Sequence, residues 1–286
     1  MISNENTVQH PNAIPPFKMG WSEISVLAGG FIFGQIATGI LALILGSASD
    51  ENVLKSSWFM PIAYLFTMGF PLVVFYFTLL KPKGFSFPLP LKGSNFIVSI
   101  LALAMMIGMM LVSEFIVSLI PISGPWFGSW YESFSEQMES ISTSTISMVV
   151  MTVVFAPILE ELLFRGIILK GMLNKGVNPK NAILISALIF GAIHGYPWQA
   201  VGAFFLGIIL GWIYERTESL LLPIMLHAFN NGIASIMISN LKTESFSAAL
   251  HTSDFIILAI GAVVLSISAY YFYQKTNSNT TNFLSK

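Results

Sequence analysis

The feature that most limits what this chain can fold into is a succession of apolar runs long enough, or nearly so, to cross a hydrocarbon core of about 30 Å. They fall at 22–46, 58–80, 95–120, 145–173, 180–196, 198–214, 219–240 and 254–273. In lipid every backbone polar group has to be satisfied within the protein, which leaves helices or a closed barrel. Runs near twenty residues select helices. The sequence therefore predicts an all-α fold, a polytopic membrane helix bundle with about eight transmembrane helices. Residues 21–273 form a single transmembrane domain, 1–20 a polar N-terminal segment, and 274–286 a polar C-terminal tail read as disordered. The fifth and sixth runs are short and meet at Gly195, Tyr196 and Pro197, so their ends are the least sharply defined.

Of the 286 residues 55% are hydrophobic and only 9% charged, with a net charge of -1. That balance carries no nucleic-acid footprint and makes the lipid bilayer the expected surrounding. No cysteine is present, which removes disulfides, thiolate metal sites and a cysteine nucleophile. The first run is too long for the hydrophobic region of a cleaved signal peptide and reads as a retained span.

Basic residues assign an orientation. Lys18 precedes the first run. Lys81, Lys83 and Lys92 lie between the second and third, Lys175 and Lys180 between the fourth and fifth, Arg216 between the sixth and seventh, and Lys275 and Lys286 after the eighth. The alternate connections hold Asp50, Glu51 and Lys55, then Glu132, Glu136 and Glu139, then Lys242, Glu244 and Asp254. The reading is a multi-pass protein of the cell membrane with both termini cytoplasmic. Gly30 with Gly34 and Gly207 with Gly211 are small-residue pairs suited to close helix packing. The 121–142 connection, with Trp126, Trp130 and Tyr131, reads as an amphipathic segment at the outer surface.

Within the fourth run stand Glu160, Glu161 and Arg165, where charge is costly and marks a functional site or a locking ion pair. Glu161 and Arg165 are four apart and share a helix face, whereas Glu160 points about 100° away, which leaves it for chemistry. Pro157 removes a backbone donor and should loosen the turn around Val153. Two histidines also fall in apolar runs. His194 and Glu160 are equidistant in sequence from Val177 in the hairpin turn, so equal rise sets them at matching height. Phe190 shares a face with His194 and walls it. His227 and Asn231 share a face of the seventh run, with Asn230 about 100° off as the weaker candidate. Matching these heights projects the fourth and fifth helices beyond the bilayer at their lysine-bearing end and sinks the site in the cytoplasmic half of the membrane. Glu114, in the third run, reads equally well as a hydrogen-bonded packing residue.

Glu160, His194, His227 and Asn231 suit hydrolysis. A carboxylate and a neutral imidazole hold and deprotonate water, and an imidazole or amide donor stabilises the oxyanion. Glu160, His194 and His227 also suit zinc or another divalent metal with one open position, and the sequence leaves both versions open. There is no His-Glu-x-x-His helix, no Gly-x-Ser-x-Gly elbow, and no intramembrane pair of aspartates, Asp50 and Asp254 lying at run ends.

The motifs Glu160-Glu161-x-x-x-Arg165, Phe190-x-x-x-His194 and His227-x-x-x-Asn231, with Gly207 to Asn231 reading GIILGWIYERTESLLLPIMLHAFNN, resemble those of a known intramembrane protease family. It is the type II CAAX prenyl endopeptidase and bacteriocin-processing (CPBP, or abortive-infection) family, and the resemblance covers the core 145–240. It implies that Glu160 and His194 activate water, that His227 and Asn231 form the oxyanion hole, and that Glu161 and Arg165 support the site. It also implies a peptide or membrane-protein substrate and leaves metal dependence open. The expected activity is intramembrane endopeptidase. An ion-coupled transporter and a catalytically silent scaffold or immunity protein are the alternatives.

Overall fold

The computed structural model describes residues 17–47, 53, 56–85, 90–243 and 245–284. Asp50, Glu51, Lys55, Glu244, Lys286 and most of the polar N-terminal segment lie outside the described residues. Among those described there is no strand. The helices are α1 (Trp21–Gly46), α2 (Phe59–Lys83), α3 (Phe96–Ser118), α4 (Gly128–Ser142), α5 (Thr145–Asn174), α6 (Pro179–Ala192), α7 (Pro197–Thr217), α8 (Leu221–Leu241), the short α9 (Phe246–Ala249) and α10 (Asp254–Leu284).

Seven of these, all but α4, α6 and α9, are long and apolar enough to cross a membrane. The expected eighth, α6, has 14 residues and is only about 21 Å long at 1.5 Å per residue, short of a full crossing. It starts sharply, with Pro179 in the first turn and Asn178 accepting from Lys180 N at 3.0 Å. After Ala192 a turn through Gly195, in the left-handed region at φ 77°, reverses the chain into α7. Glycine adopts that conformation without the steric cost other residues meet. By contrast α5 runs 30 residues, about 45 Å, longer than a hydrocarbon core is thick.

Helix pairs close where glycines let backbones approach. A Cβ on Gly30 would lie 2.7 Å from Pro71 Cα, and one on Gly34 2.8 Å from Phe66 O, so α1 lies directly on α2. A Cβ on Gly207 would lie 3.0 Å from Ala187 Cα, a slightly looser approach that joins α6 to α7. Sequence inspection missed a third crossing, where Gly108 of α3 and Gly261 of α10 meet Leu265 and Leu111.

One end of the bundle is knitted shut. Met19 N donates to Gly171 O at 3.0 Å, Asn174 Nδ2 to Phe17 O at 2.9 Å, Leu220 N to Pro90 O at 2.8 Å and Ser219 Oγ to Lys92 O at 2.6 Å. Phe75, Leu80, Phe164, Ile167, Leu169 and Leu210 pack beneath these contacts with almost no exposure. The tail departs from expectation. α10 continues past 273 to Leu284, and Arg216 holds it by donating to Asn277 Oδ1 at 2.7 Å while its guanidinium lies over the Tyr273 ring.

Candidate active site

Glu160 and Glu161 sit midway along α5, between two stretches wound wider than an α-helix. In the first, the Ala156 N–H bonds Met151 O, five residues back. In that register the Thr152 carbonyl would take the N–H of residue 157, and Pro157 has none. Asn231 Nδ2 supplies the missing donor at 2.8 Å. The freed carbonyl is thus that of Thr152, one residue before the expected Val153, because the register there is i to i−5. This bond ties α8 to α5 at the site and leaves the second amide hydrogen of Asn231 unused in it. Asn231 Oδ1 accepts from Asn230 Nδ2 at 3.0 Å.

The ion pair forms as the four-residue spacing requires. Arg165 Nη1 donates to Glu161 Oε1 at 2.6 Å, with the two residues 1% and 0% exposed. Arg165 Nη2 also donates to Gly207 O at 3.2 Å, and its guanidinium lies 4.9 Å from the centre of the Phe190 ring. An arginine buried this deeply needs the carboxylate, the carbonyl and the ring face together to offset its lost hydration.

His227 stands between the two glutamates. Its Nδ1 is 2.9 Å from Glu161 Oε1, an oxygen already paired with Arg165 and therefore an acceptor, so Nδ1 carries a hydrogen. Its Nε2 is 3.7 Å from Glu160 Oε2, beyond hydrogen-bond length. Glu161 thus serves both Arg165 and His227, a double role that helical spacing alone does not reveal.

His194 lies just past the end of α6, in the turn rather than in the helix as expected. Its Nδ1 is 2.7 Å from Phe190 O. A carbonyl only accepts, so Nδ1 is the protonated nitrogen and Nε2 of the neutral ring keeps its lone pair. The Phe190 ring then packs edge-on against both imidazoles, at 5.0 Å from His194 and 5.8 Å from His227. This phenylalanine, expected only as a wall beside His194, touches Arg165 of α5, His194 in the turn and His227 of α8.

Tyr64 of α2 completes the group. Its hydroxyl donates to Glu160 Oε1, which leaves Oε2 as the oxygen nearer His227. The sequence offered only a weak signal for it, a polar side chain in the middle of an apolar run, and the two residues are 96 apart.

Tyr64, Glu160, Phe190, His194, His227 and Asn231 all line one cavity of about 1650 Å³. The structure therefore brings the four expected catalytic residues to a common space. Close approach links His227 to both glutamates, while His194 touches Phe190 and Asn231 touches Thr152 and Asn230. Glu114 also borders this space but is held by Ser245 Oγ at 2.8 Å and Ser247 N at 3.3 Å. The lysine-bearing end of the bundle is filled by the packed core, and the cavity's lining runs from the site toward α4 and Lys242, Thr243, Ser245 and Phe246.

Zinc or another divalent metal was one sequence-level option for Glu160, His194 and His227. Among the described residues no three His, Asp or Glu side chains are arranged to hold a metal ion. The arrangement present does not gather three such groups, and the chemistry below is derived from protein groups.

These features define a multi-pass helical membrane protein whose interior holds an acid–imidazole–amide group on an open cavity. Residues 142–233, running from the end of α4 through most of α8, match the family described as Type II CAAX prenyl endopeptidase Rce1-like. Through this segment the chain is similar to membrane proteases of that family. It is 34% identical over 90 residues to the "Putative membrane peptidase YdiL" of Bacillus subtilis, covering 32% of this chain and 36% of that protein. It is 31% identical over 91 residues to the "UPF0177 protein YxdF" of Lactococcus lactis, covering 32% of this chain and 49% of that protein. The matched stretch is thus less than half the length of either relative. No solved structure matches this chain.

Proposed function

We propose that the protein is an intramembrane endopeptidase of glutamate type, hydrolysing peptide bonds in membrane-associated or peptide-precursor substrates. The observation that carries this reading is the convergence on one cavity of Glu160, two imidazoles and a carboxamide, all inside a membrane bundle where polar groups are expensive. Glu160 and the lone pair of His194 Nε2 bind one water and orient it. Glu160 takes a proton as the water oxygen bonds to the scissile carbonyl carbon. The carbonyl oxygen becomes an oxyanion, which receives hydrogen bonds from His227 Nε2–H and the spare amide hydrogen of Asn231. When the C–N bond breaks, the proton on Glu160 passes to the leaving nitrogen, giving a carboxylic acid and an amine.

The buried charges are consistent with this cycle. Two carboxylates and one guanidinium leave one negative charge uncompensated, which is costly away from water. In this scheme His227 carries a hydrogen on both ring nitrogens, Nδ1–H to Glu161 and Nε2–H toward the oxyanion, which cancels that charge and leaves Glu160 free to act as the base. Arg165 and Glu161 fix the imidazole, acting through His227 rather than on substrate.

Comparing the peptides of cells carrying the native protein with those of cells carrying Glu160→Gln tests the reading. Cleavage products present only with the native protein support it. Identical peptide sets from two equally abundant proteins overturn it.

Tyr64 sharpens the test because it reaches Glu160 from outside the matched segment. Its hydroxyl fixes the direction in which the carboxylate presents Oε2 to the water. Tyr64→Phe is expected to lower kcat by about tenfold, the equivalent of one hydrogen bond to a charged group, with KM little changed. An unaltered kcat in the folded variant would show that the hydroxyl does not act on the base.

A further inference from the structure

Beyond the glutamates the cavity is lined by α4 and the α8–α10 connection, and the chain's basic residues say which side of the membrane that end faces. At one end of the bundle the N-terminal strip at Phe17–Met19 bonds to the last turns of α5, which lead into the α5–α6 turn, and the α7–α8 connection bonds to the α2–α3 connection. That end carries Lys18, Lys83, Lys92, Lys175, Lys180 and Arg216. Ion pairs add to the closure, Lys83 with Glu23 at 3.6 Å and Lys92 with Glu218 at 3.4 Å.

The two ends of α5 differ sharply. On the lysine side of the glutamates, Leu163, Phe164, Ile167 and Leu169 are buried, whereas none of residues 150–155 on the other side is. There the space is bordered by the outer halves of α2 and α3, by α4 and by the Lys242–Phe246 connection. α4 is held over the His194 turn by aromatic contacts, Tyr131 with Trp198 at 5.0 Å and Phe134 with Tyr196 at 5.5 Å. Of the described residues, the connections at this end carry Lys242 against Glu132, Glu136, Glu139 and Asp254.

Short loops rich in Lys and Arg stay on the cytoplasmic side. We infer that the active-site cavity opens away from the cytoplasm, and that its substrate is a polypeptide segment presented at the non-cytoplasmic surface, such as the emerging part of an exported or membrane-anchored precursor. The substrate class rests on the hydrolase reading; the sidedness does not. A carboxy-terminus lipidated in the cytoplasm would meet the packed end of the bundle first, where Phe164, Ile167, Leu169 and Leu210 are buried.

The cysteine-free sequence makes a direct test available. Single cysteines are placed at Ser135→Cys and Gln137→Cys, exposed on α4 beside the cavity, and at Lys175→Cys, exposed in the α5–α6 turn. Intact cells are treated with a membrane-impermeant maleimide, and total thiol is read after denaturation. The expected pattern is labelling of both α4 positions in intact cells and of Lys175→Cys only after permeabilisation. Any other pattern with normal total thiol, including the reverse, overturns the assignment. A second measurement addresses the substrate. Cleavage sites found against Glu160→Gln should fall in segments exposed outside the cytoplasm, and sites confined to cytoplasmic segments overturn the class. If no site is found the substrate class falls with the hydrolase reading, while the labelling still decides which way the cavity faces.

Discussion

Purified Glu160→Gln is expected to fold normally and to lose catalysis by a factor of about 10² to 10⁴, the usual contribution of a positioned general base. The carboxamide introduced there keeps an acceptor for the Tyr64 hydroxyl but cannot take a proton from water or return it to the leaving nitrogen. The native side chain is 4% exposed, so the change also removes a buried charge, and the variant should be at least as stable as the native protein. Loss of activity without loss of fold is therefore the signature, read as kcat/KM beside an unfolding curve in detergent. Full turnover by Glu160→Gln would remove Glu160 from the mechanism. Asn230→Ala is the matching control, since Asn230 reaches the group only through Asn231 at its edge and the variant should keep most of the activity.

The second large effect is on stability. Arg165→Met should destabilise the bundle by about 3–5 kcal/mol, because it leaves Glu161 charged and buried without its cation. The same change frees Gly207 O and removes the cation over Phe190. Arg165→Lys restores the charge but not the planar fork that reaches both Glu161 and Gly207, so it should recover part of the loss. Adding Glu161→Gln to Arg165→Met should also recover part, since the orphaned carboxylate is the main source of the cost. An unfolding temperature unchanged in Arg165→Met would contradict the structural role given to the pair.

Much of the architecture could be read from hydropathy because the solvent dictates it. Apolar length located α1, α2, α3, α5, α7, α8 and the start of α10 within a few residues. The Glu161–Arg165 pair was legible because four-residue spacing on a helix fixes who meets whom. The missed features depend on distant partners. Tyr64 is one aromatic residue among many in apolar runs, and only the α2–α5 packing gives its hydroxyl a carboxylate. The short α6 was overread as a crossing because apolarity continues through the His194 turn into α7. The helical continuation beyond residue 273 has polar composition and is held by Arg216 from α7, a contact no local pattern encodes. The direction of the cavity was not legible for a similar reason: heights along individual helices locate a site, but which end is plugged depends on how all of them pack.

The most direct measurement of the central claim is hydrolysis in water enriched in ¹⁸O, using the purified native protein and a peptide that the comparison with Glu160→Gln identifies as cleaved. One ¹⁸O atom is expected in the new carboxylate in a single turnover, with none formed by Glu160→Gln or His194→Ala. Cleavage by either variant at the native rate, or a native protein that cleaves none of those peptides under conditions where it remains folded, would contradict the assignment of this cavity as a water-activating peptidase site.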